Sequence, residues 1–355
     1  MSRFIRFAAM ALAASGLTLA GCSDNGDQAD NNGAGAEQAA TTLNVYSARK
    51  EHLIAPLLER FTEDTGIEAK LLTAKAGALL SRLESEGENT PADLLITVDA
   101  GNLHRAKEAG VLQAIESDAL TERVPANLRD VDNQWFGLSQ RARVIFAHKE
   151  RVEDGAITSY ADLADPKFKG RICIRSSNNV YNQSLVASLI AAHGEEWTQE
   201  WAEGLVANMA RKPQGGDRDQ IRAVAAGECD IAVANTYYYG AMQNGSDTDK
   251  AAADAVRLVW PNQDERGAHV NVSGAGMVAA STKTEAVKTL LEYLTTKDSQ
   301  EWYAQVNNEF PVRPGVPASD TLAQWGDFKA DDLNLSKLGE LNPDAVRLMD
   351  RAGWQ

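Results

Sequence analysis

Three of the chain's eight tyrosines are consecutive, at Tyr237, Tyr238 and Tyr239. Neighbouring side chains on a strand point to opposite faces, but on a first helical turn they can splay into one cleft. Asn235-Thr236 directly before them is suited to begin a helix. A helix N-terminus favours negative charge, including phenolate, and a bound metal can lower the pKa of a phenol. The run therefore fits either a site for a hard cation or an aromatic wall that packs a cleft or stacks a planar ligand.

Two arginines near other strand ends help to decide between a cation site and an aromatic wall. Arg49 follows the apolar segment 42–46, and Arg141 lies in the polar sequence 139–143. The planar guanidinium binds carbonate or a carboxylate through two hydrogen bonds. Arginines beside a bare cation would repel it, whereas arginines that hold an anion shared with the metal are useful. A surface ion pair is the alternative for each arginine, and it is our preferred interpretation of Arg143.

Polar sequences follow three predicted strands, and ligands in open α/β sheets bind beyond the carboxyl ends of strands. The first sequence covers residues 46–49, the second covers 175–181 and contains Tyr181, and the third covers 235–239. We therefore expect these three segments to meet at one cleft.

Strand and helix patterns alternate along the chain, which is typical of α/β folds. The predicted strands cover residues 42–46, 68–72, 92–96, 171–174 and 230–234. The predicted helices include residues 53–61 with Gly66 at the end, 79–83, 183–192, 197–209, 217–226 and the tail from 284, where Asn342-Pro343 begins a helix. The extended segments 138–148 and 268–280 are predicted to cross between two lobes. Each lobe is expected to be a mixed, mostly parallel sheet flanked by helices.

The N-terminus reads as a targeting segment. An apolar run over residues 7–19 leads to Leu-Ala-Gly-Cys22, which resembles a bacterial lipobox. We expect residues 1–21 to be a lipoprotein signal peptide and Cys22 to be acylated. Residues 22–41 have no aromatic or branched aliphatic cluster and are predicted to be a disordered tether.

The remaining chain is long enough for two lobes. We predict an N-terminal lobe from residues 42–140 plus about 270–310, a C-terminal lobe from 141–269, and a helical segment from about 311–355 that packs on both.

The net charge excludes some classes of partner, the cysteines predict a disulfide, and the histidines argue against an enzyme. The net charge of −15 argues against nucleic acid and against an anionic membrane surface as partners. Cys173 lies in the predicted strand 171–174, and Cys229 lies just before the predicted strand 230–234. Because both strands lead to the same site, we predict a disulfide between the two cysteines, which needs Cα atoms roughly 4.4 to 6.8 Å apart. The five histidines are scattered and no catalytic motif is present, so we expect no enzyme.

These motifs resemble the periplasmic ferric-iron-binding family, the receptors of iron(III) ABC importers. The similarity runs from about Thr42 to the C-terminus. Its most specific pieces are residues 45–49, 92–100, 141–143, 178–184 and 235–238.

The resemblance implies a two-lobed periplasmic-binding-protein clamshell that closes on Fe(III). Tyr181, Tyr237 and Tyr238 match the family's metal ligands, and Arg49 and Arg141 match arginines that hold a synergistic carbonate. It further implies a periplasmic receptor that delivers iron to an ABC permease in the inner membrane. Together with the lipobox at Cys22, we expect a monomeric, membrane-tethered periplasmic lipoprotein.

One departure concerns the N-terminal lobe. Many members carry a His-Tyr pair after the Ser-Ala-Arg segment, and this chain has Lys50-Glu51 instead. The chain therefore resembles the branch with three tyrosines from one lobe and a shell completed by carbonate or water. Glu51 is an alternative oxygen ligand, His52 is expected to be structural, and Tyr239 is expected to form a wall of the cleft.

A receptor of the same fold for another cargo remains the alternative. Organic anions or iron chelates would use the arginines, with the tyrosines stacking against them. A polyamine would need carboxylates in the cleft, which these motifs lack.

Overall fold

The structure is a computed structural model, and it describes residues 41–355. The predicted signal peptide, the acylation site Cys22 and residues 22–40 of the tether lie outside the described residues. No helix within residues 41–355 has the length and apolar character needed to cross a bilayer.

Nine strands form the sheet of the described chain. They are β1 (Thr42–Ser47), β2 (Glu68–Thr73), β3 (Leu94–Val98), β4 (Leu112–Gln113), β5 (Phe136–His148), β6 (Ile172–Cys173), β7 (Ile231–Asn235), β8 (Val256–Val259) and β9 (Val270–Val278).

Helices cover both ends of this sheet. They are α1 (Ala55–Thr65), α2 (Ala76–Glu86), α3 (Ala100–Glu108), α4 (Asp118–Arg123), α5 (Val180–His193), α6 (Glu195–Asn208), α7 (Asp217–Ala226), α8 (Thr236–Gln243), α9 (Asp247–Asp254), α10 (Thr284–Leu294), α11 (Lys297–Val306), α12 (Asp320–Ala323), α13 (Ser336–Glu340) and α14 (Asn342–Arg351). Short 3-10 turns occur at Glu51–Leu53, Gly87–Asn89, Ala126–Leu128, Ala161–Ala164 and Pro166–Phe168.

The strand order is β2-β1-β3-β9-β5-β7-β6, with β4 added on β9 and β8 on β5. We call the part built on β1 to β4 the N-terminal lobe and the part built on β6 to β8 the C-terminal lobe. The two long strands β5 and β9 join them, as the extended segments in the sequence predicted.

Strand β5 changes partners partway along its length. Residues up to Ala142 pair with β9, whereas Arg143 and the residues after it pair with β7 and β8. The exchange of partners between Ala142 and Arg143 marks the passage from one lobe to the other. Residues on either side of this point therefore face different surroundings even though they are neighbours in the chain.

The sheet is less parallel than the sequence suggested. Pairs β1–β2, β1–β3 and β6–β7 are parallel. The pairs that involve β5 and β9 in the described chain are antiparallel. Both crossing strands, β5 and β9, run antiparallel to their neighbours. The alternating pattern of helices and strands in the sequence does not reveal the direction of these two strands.

Local signals fixed several element ends. Helix α1 ends at Gly66, whose φ of 71° is the left-handed conformation that glycine adopts readily. Helix α14 begins at Asn342, with proline in its first turn as expected. Helix α5 begins three residues earlier than predicted, so that Tyr181 lies on its first turn.

The C-terminal segment packs across both lobes. Helix α13 contacts α3 of the N-terminal lobe and α5 of the C-terminal lobe. Near the chain end, Trp354 is buried and its indole N–H donates to the carbonyl oxygen of Arg175 at 2.9 Å. This segment therefore contacts both lobes.

Candidate metal centre

Two helix N-termini carry the tyrosines. Strand β7 ends at Asn235, and α8 begins at once, which places Tyr237 and Tyr238 on its first turn. Tyr181 lies on the first turn of α5, which follows β6. The positive end of each helix dipole therefore lies beside these phenols and favours their ionised form.

The three phenols predicted from the sequence come together. The hydroxyl of Tyr237 donates to the hydroxyl of Tyr181 across 3.3 Å. The rings of Tyr237 and Tyr238 are tilted against one another with centroids 4.2 Å apart. Three phenol oxygens thus share one end of the cleft, and all three side chains are partly buried.

Burial raises the pKa of two of these phenols, those of Tyr181 and Tyr237. Desolvation, reinforced by the neighbouring Tyr238, raises the pKa of Tyr181 to about 12. Desolvation also raises the pKa of Tyr237 well above 10, and Arg141 opposes the rise in both residues. A cation that replaces the three protons would relieve the mutual repulsion of the phenolates.

Arg143 is buried, so its predicted place in a surface ion pair is wrong. Its guanidinium donates to Asn182 beside Tyr181, at 2.6 Å, and to Asn235 just before α8, at 2.9 Å. It also pairs with Asp217 at 3.2 Å. Arg143 therefore ties the beginnings of both tyrosine-bearing helices together.

Asp217 completes this support and was not found by sequence analysis. Its carboxylate accepts from the backbone N–H of Asn235 at 2.8 Å and from Arg175 at 3.1 Å. The aspartate lies on the first turn of α7, 18 residues before Asn235. The position of an acidic first-turn residue looks like ordinary helix capping, so the sequence held no distinctive signal.

Tyr239 does not line the cleft, contrary to expectation. Its ring packs on Phe146 with centroids 5.0 Å apart and on Trp325 at 5.8 Å. The hydroxyl reaches the carbonyl oxygen of Ala253 at 3.5 Å. One further step along the helix turns the side chain into the core of the C-terminal lobe.

Arg141 has a free bidentate edge beside the tyrosines. It is 2% exposed, and its Cζ lies 5.7 Å from the centroid of the Tyr181 ring. Nη1 donates to the hydroxyl of Ser273 at 3.2 Å. Nε and Nη2 are buried without a hydrogen-bond partner in the described part of the chain. Because buried donors without partners are disfavoured, this edge fits a small oxyanion.

Arg49 lines the same cleft but is already paired. Its Nη2 donates to Oε2 of Glu309 at 2.8 Å, and Nη1 lies 3.4 Å from Oε1. Burial works to lower the pKa of Arg49, yet the Glu309 carboxylate outweighs it and the pKa is raised. Glu309 was not found by sequence analysis.

The cleft beside these groups has a volume of about 330 Å³. Its lining includes the three tyrosines, and Lys50, His52 and Arg218 contribute exposed side chains. Glu51 is exposed and lies outside this lining. A groove of about 430 Å³ elsewhere in the N-terminal lobe is larger, but its lining holds neither a tyrosine nor an arginine.

Other donor types do not form a competing centre. Within residues 41–355 there is no cluster of three or more His, Cys, Asp or Glu side chains placed to hold a metal. Cys173 and Cys229 are joined by a disulfide, with Cα atoms 5.9 Å apart. The bridge ties β6 to a residue two positions before β7, and these strands lead to Tyr181 and to Tyr237.

Two lobes joined by crossing strands, with a cleft between them that is lined by tyrosines and arginines, define the class of two-lobed solute-binding proteins. The family model described as bacterial extracellular solute-binding protein matches residues 89–329. The chain belongs to this family. The family binds solutes and is not enzymatic, which confirms that part of the sequence prediction.

Named relatives indicate which solute-binding proteins the chain is similar to. Iron uptake protein A1 of Synechocystis sp. is 47% identical over 314 residues, which is 88% of this chain and 87% of that protein. Major ferric iron-binding protein of Neisseria meningitidis serogroup B is 26% identical, and the match covers 90% of this chain and 95% of that protein.

Among solved structures, Trichodesmium IdiA (FutA) in complex with iron and citrate ligands is 47% identical, with a TM-score of 0.86 over 88% of this chain and all of that chain. The ferric binding protein from Campylobacter jejuni is 40% identical, with a TM-score of 0.83 and the same coverage. These matches confirm the predicted fold class and the predicted family resemblance.

Proposed function

We propose that this protein captures Fe(III) with Tyr181, Tyr237 and Tyr238 and delivers it to an ABC importer in the inner membrane. The observation that carries the proposal is the convergence of three phenols, with two hydroxyls 3.3 Å apart. Three phenolates match the charge of a ferric ion, and hard oxygen donors suit it. The relatives named as iron-uptake and ferric-iron-binding proteins support the same cargo.

A small anion completes the proposed site. The free Nε and Nη2 edge of Arg141 offers two parallel donors to carbonate, which would share the metal with the tyrosines. Replacing Arg141 with Gln should weaken Fe(III) binding about tenfold and remove its dependence on added bicarbonate. An unchanged bicarbonate dependence would exclude Arg141 from anion binding.

The proposed setting is the periplasm, with the protein monomeric and tethered through acylated Cys22. Mass spectrometry of membrane-extracted protein should find a lipid on Cys22 at the mature N-terminus. A product cleaved elsewhere would contradict this part of the proposal.

An iron chelate or an organic anion is the second candidate cargo. The cleft of about 330 Å³ has room for such a ligand, and one similar structure was solved with iron and citrate. A polyamine is less suited, since the cleft carboxylate Glu309 is held by Arg49.

Titration of the purified metal-free protein with Fe(III) in bicarbonate buffer tests the proposal. We expect one iron per chain, a visible phenolate-to-iron charge-transfer band, and a rise in melting temperature from binding to the folded state. Binding of citrate alone, with no colour when Fe(III) is added, would favour the second candidate.

A further inference from the structure

The Arg49–Glu309 pair is placed at the cleft, where it can influence which anion enters. Both residues line the cleft together with the tyrosines. Both are buried, with side chains 2% and 7% exposed. An ion pair in this position neutralises a charge that would otherwise face the cargo.

Glu309 is held firmly in this orientation. The hydroxyl of Ser139 donates to its Oε2 at 2.7 Å. Directly after it, the backbone of Phe310 exchanges two hydrogen bonds with Gln140 on β5, at 2.7 and 2.8 Å. Displacing the carboxylate from Arg49 would leave a buried charge without its partner, which is strongly disfavoured.

The two buried arginines near the tyrosines therefore differ in what they can offer an anion: Arg49 lines the cleft, and Arg141 lies beside the ring of Tyr181. Arg141 keeps a complete Nε and Nη2 edge free of protein partners within the described residues. Arg49 has only Nε free there, since Nη1 and Nη2 face Glu309. One nitrogen does not provide the paired donors that a carboxylate or carbonate prefers.

We propose that Glu309 is a specificity-determining residue, because its carboxylate occupies Arg49 and leaves one buried guanidinium, that of Arg141, to bind an anion. This proposal rests on the proposed function, whose anion site it refines. A site beside the tyrosines with one such guanidinium favours a small anion that needs one pair of donors. It disfavours a polycarboxylate, which would need both arginines and would meet the negative charge of Glu309.

The test uses the metal-free full chain with citrate and with bicarbonate as separate probes, measured by calorimetry. Glu309→Gln keeps the size of the side chain and removes its charge. It should bind citrate about tenfold or more tightly than the wild type, because Arg49 becomes available for a charge-assisted pair of hydrogen bonds. Bicarbonate binding, which uses Arg141, should change less than about twofold.

Two controls separate the local effect from a general change in charge. Asp130→Asn removes the same charge from another buried carboxylate, which pairs with the partly buried Lys107 outside the cleft lining, and should leave citrate binding unchanged. The double variant Arg49→Gln/Glu309→Gln should return citrate affinity to the wild-type level. If the double variant binds citrate as tightly as Glu309→Gln, Arg49 is not the group released and the proposal fails.

A second variant covers the case in which Glu309→Gln does not fold. Glu309→Asp keeps the charge but withdraws the carboxylate by one methylene, and should raise citrate affinity about threefold. Citrate affinity equal to the wild type in the folded Glu309 variants would overturn the proposal. Because no iron is used, this result is independent of whether the protein binds Fe(III).

Discussion

The two walls of the cleft are built in different ways. In the C-terminal lobe, three phenols lie on two neighbouring helix N-termini, and Arg143 links both helices. In the N-terminal lobe, the cleft-facing pair Arg49 and Glu309 comes from residues 260 positions apart, and their charges cancel. The comparison shows that the C-terminal wall concentrates phenols contributed by nearby helix N-termini, whereas the opposite wall carries a charge-neutral ion pair.

The largest expected effect comes from removing a phenol oxygen of the C-terminal wall. Tyr181→Phe, Tyr237→Phe or Tyr238→Phe keeps the ring and removes one anionic ligand. Since even partners of metal ligands contribute 10–100-fold to metal affinity, we expect losses of more than about 100-fold, with loss of the visible band. Competition titration with Fe(III) measures this.

Tyr239→Phe is the matched control, because that hydroxyl points into the lobe core at Ala253. It should bind Fe(III) like the wild type. Equal weakening by Tyr239→Phe and Tyr237→Phe would show that the losses come from the helix rather than from lost ligands.

The next largest effect is expected from removing the disulfide, which lies in the same C-terminal lobe as the phenols. Cys173 and Cys229 are 56 residues apart, for which the loop-entropy relation gives about 4 kcal/mol of stabilisation. The double Cys→Ser variant should lose free energy of unfolding of this order, measured with denaturant. The variant should still show the visible band with Fe(III), because Arg143 and Asp217 still join the two tyrosine-bearing helices. Loss of the band in a folded variant would show that the disulfide, rather than these residues, positions the tyrosines.

Alkaline pH should reveal the buried phenols of the same wall. Tyr181 has a raised folded-state pKa of about 12 against about 10 when unfolded. The folded metal-free protein then binds more protons than the unfolded chain between pH 10 and 12, so its stability falls as pH rises through that window. In the Tyr181→Phe variant this pH-dependent loss of stability should be smaller by about 3 kcal/mol. Identical pH profiles for both proteins would contradict the raised pKa.

The smallest effect concerns the contact between the two walls. A Cβ added to Gly240 on α8 would lie 2.9 Å from Cβ and Cγ of Asn308, beside Glu309. Gly240→Ala should therefore lower Fe(III) affinity about tenfold, since overpacking costs about 1–3 kcal/mol and opening the cleft relieves it.

Gly77→Ala in α2 is the control for this substitution, because no atom lies within 4 Å of the added Cβ. It should leave iron affinity unchanged and stabilise the helix by about 0.5–1 kcal/mol. If Gly240→Ala binds Fe(III) with wild-type affinity, the contact between α8 and Asn308 is not needed for iron binding.

Local sequence signals predicted much of the fold and the tyrosine wall. Gly66 and Asn342-Pro343 mark helix ends through backbone preferences that operate within a few residues. The tyrosines at 237 and 238 follow a strand end directly, so their place on a first helical turn could be inferred. Strands β4 and β8, of two and four residues, are too short for a period to show.

Long-range pairing explains what the sequence did not reveal. Arg141 and Arg143 are two residues apart in the sequence, but β5 changes partners between them. Arg141 keeps an edge beside Tyr181 that is unpaired within residues 41–355, whereas Arg143 is buried against Asp217 and its neighbours. Glu309 finds Arg49 only through the folded contact of the residues after α11 with β5. No local pattern encodes such contacts.

The most direct test of the central claim is a crystal structure of the iron-loaded protein grown with bicarbonate. We predict that the ferric ion is bound by the phenolate oxygens of Tyr181, Tyr237 and Tyr238, with the remaining positions filled by an anion on Arg141 or by water. Glu309 should remain on Arg49. A ferric ion bound by His52, Glu51 or Glu309, or one that lacks any of the three tyrosines, would contradict the account.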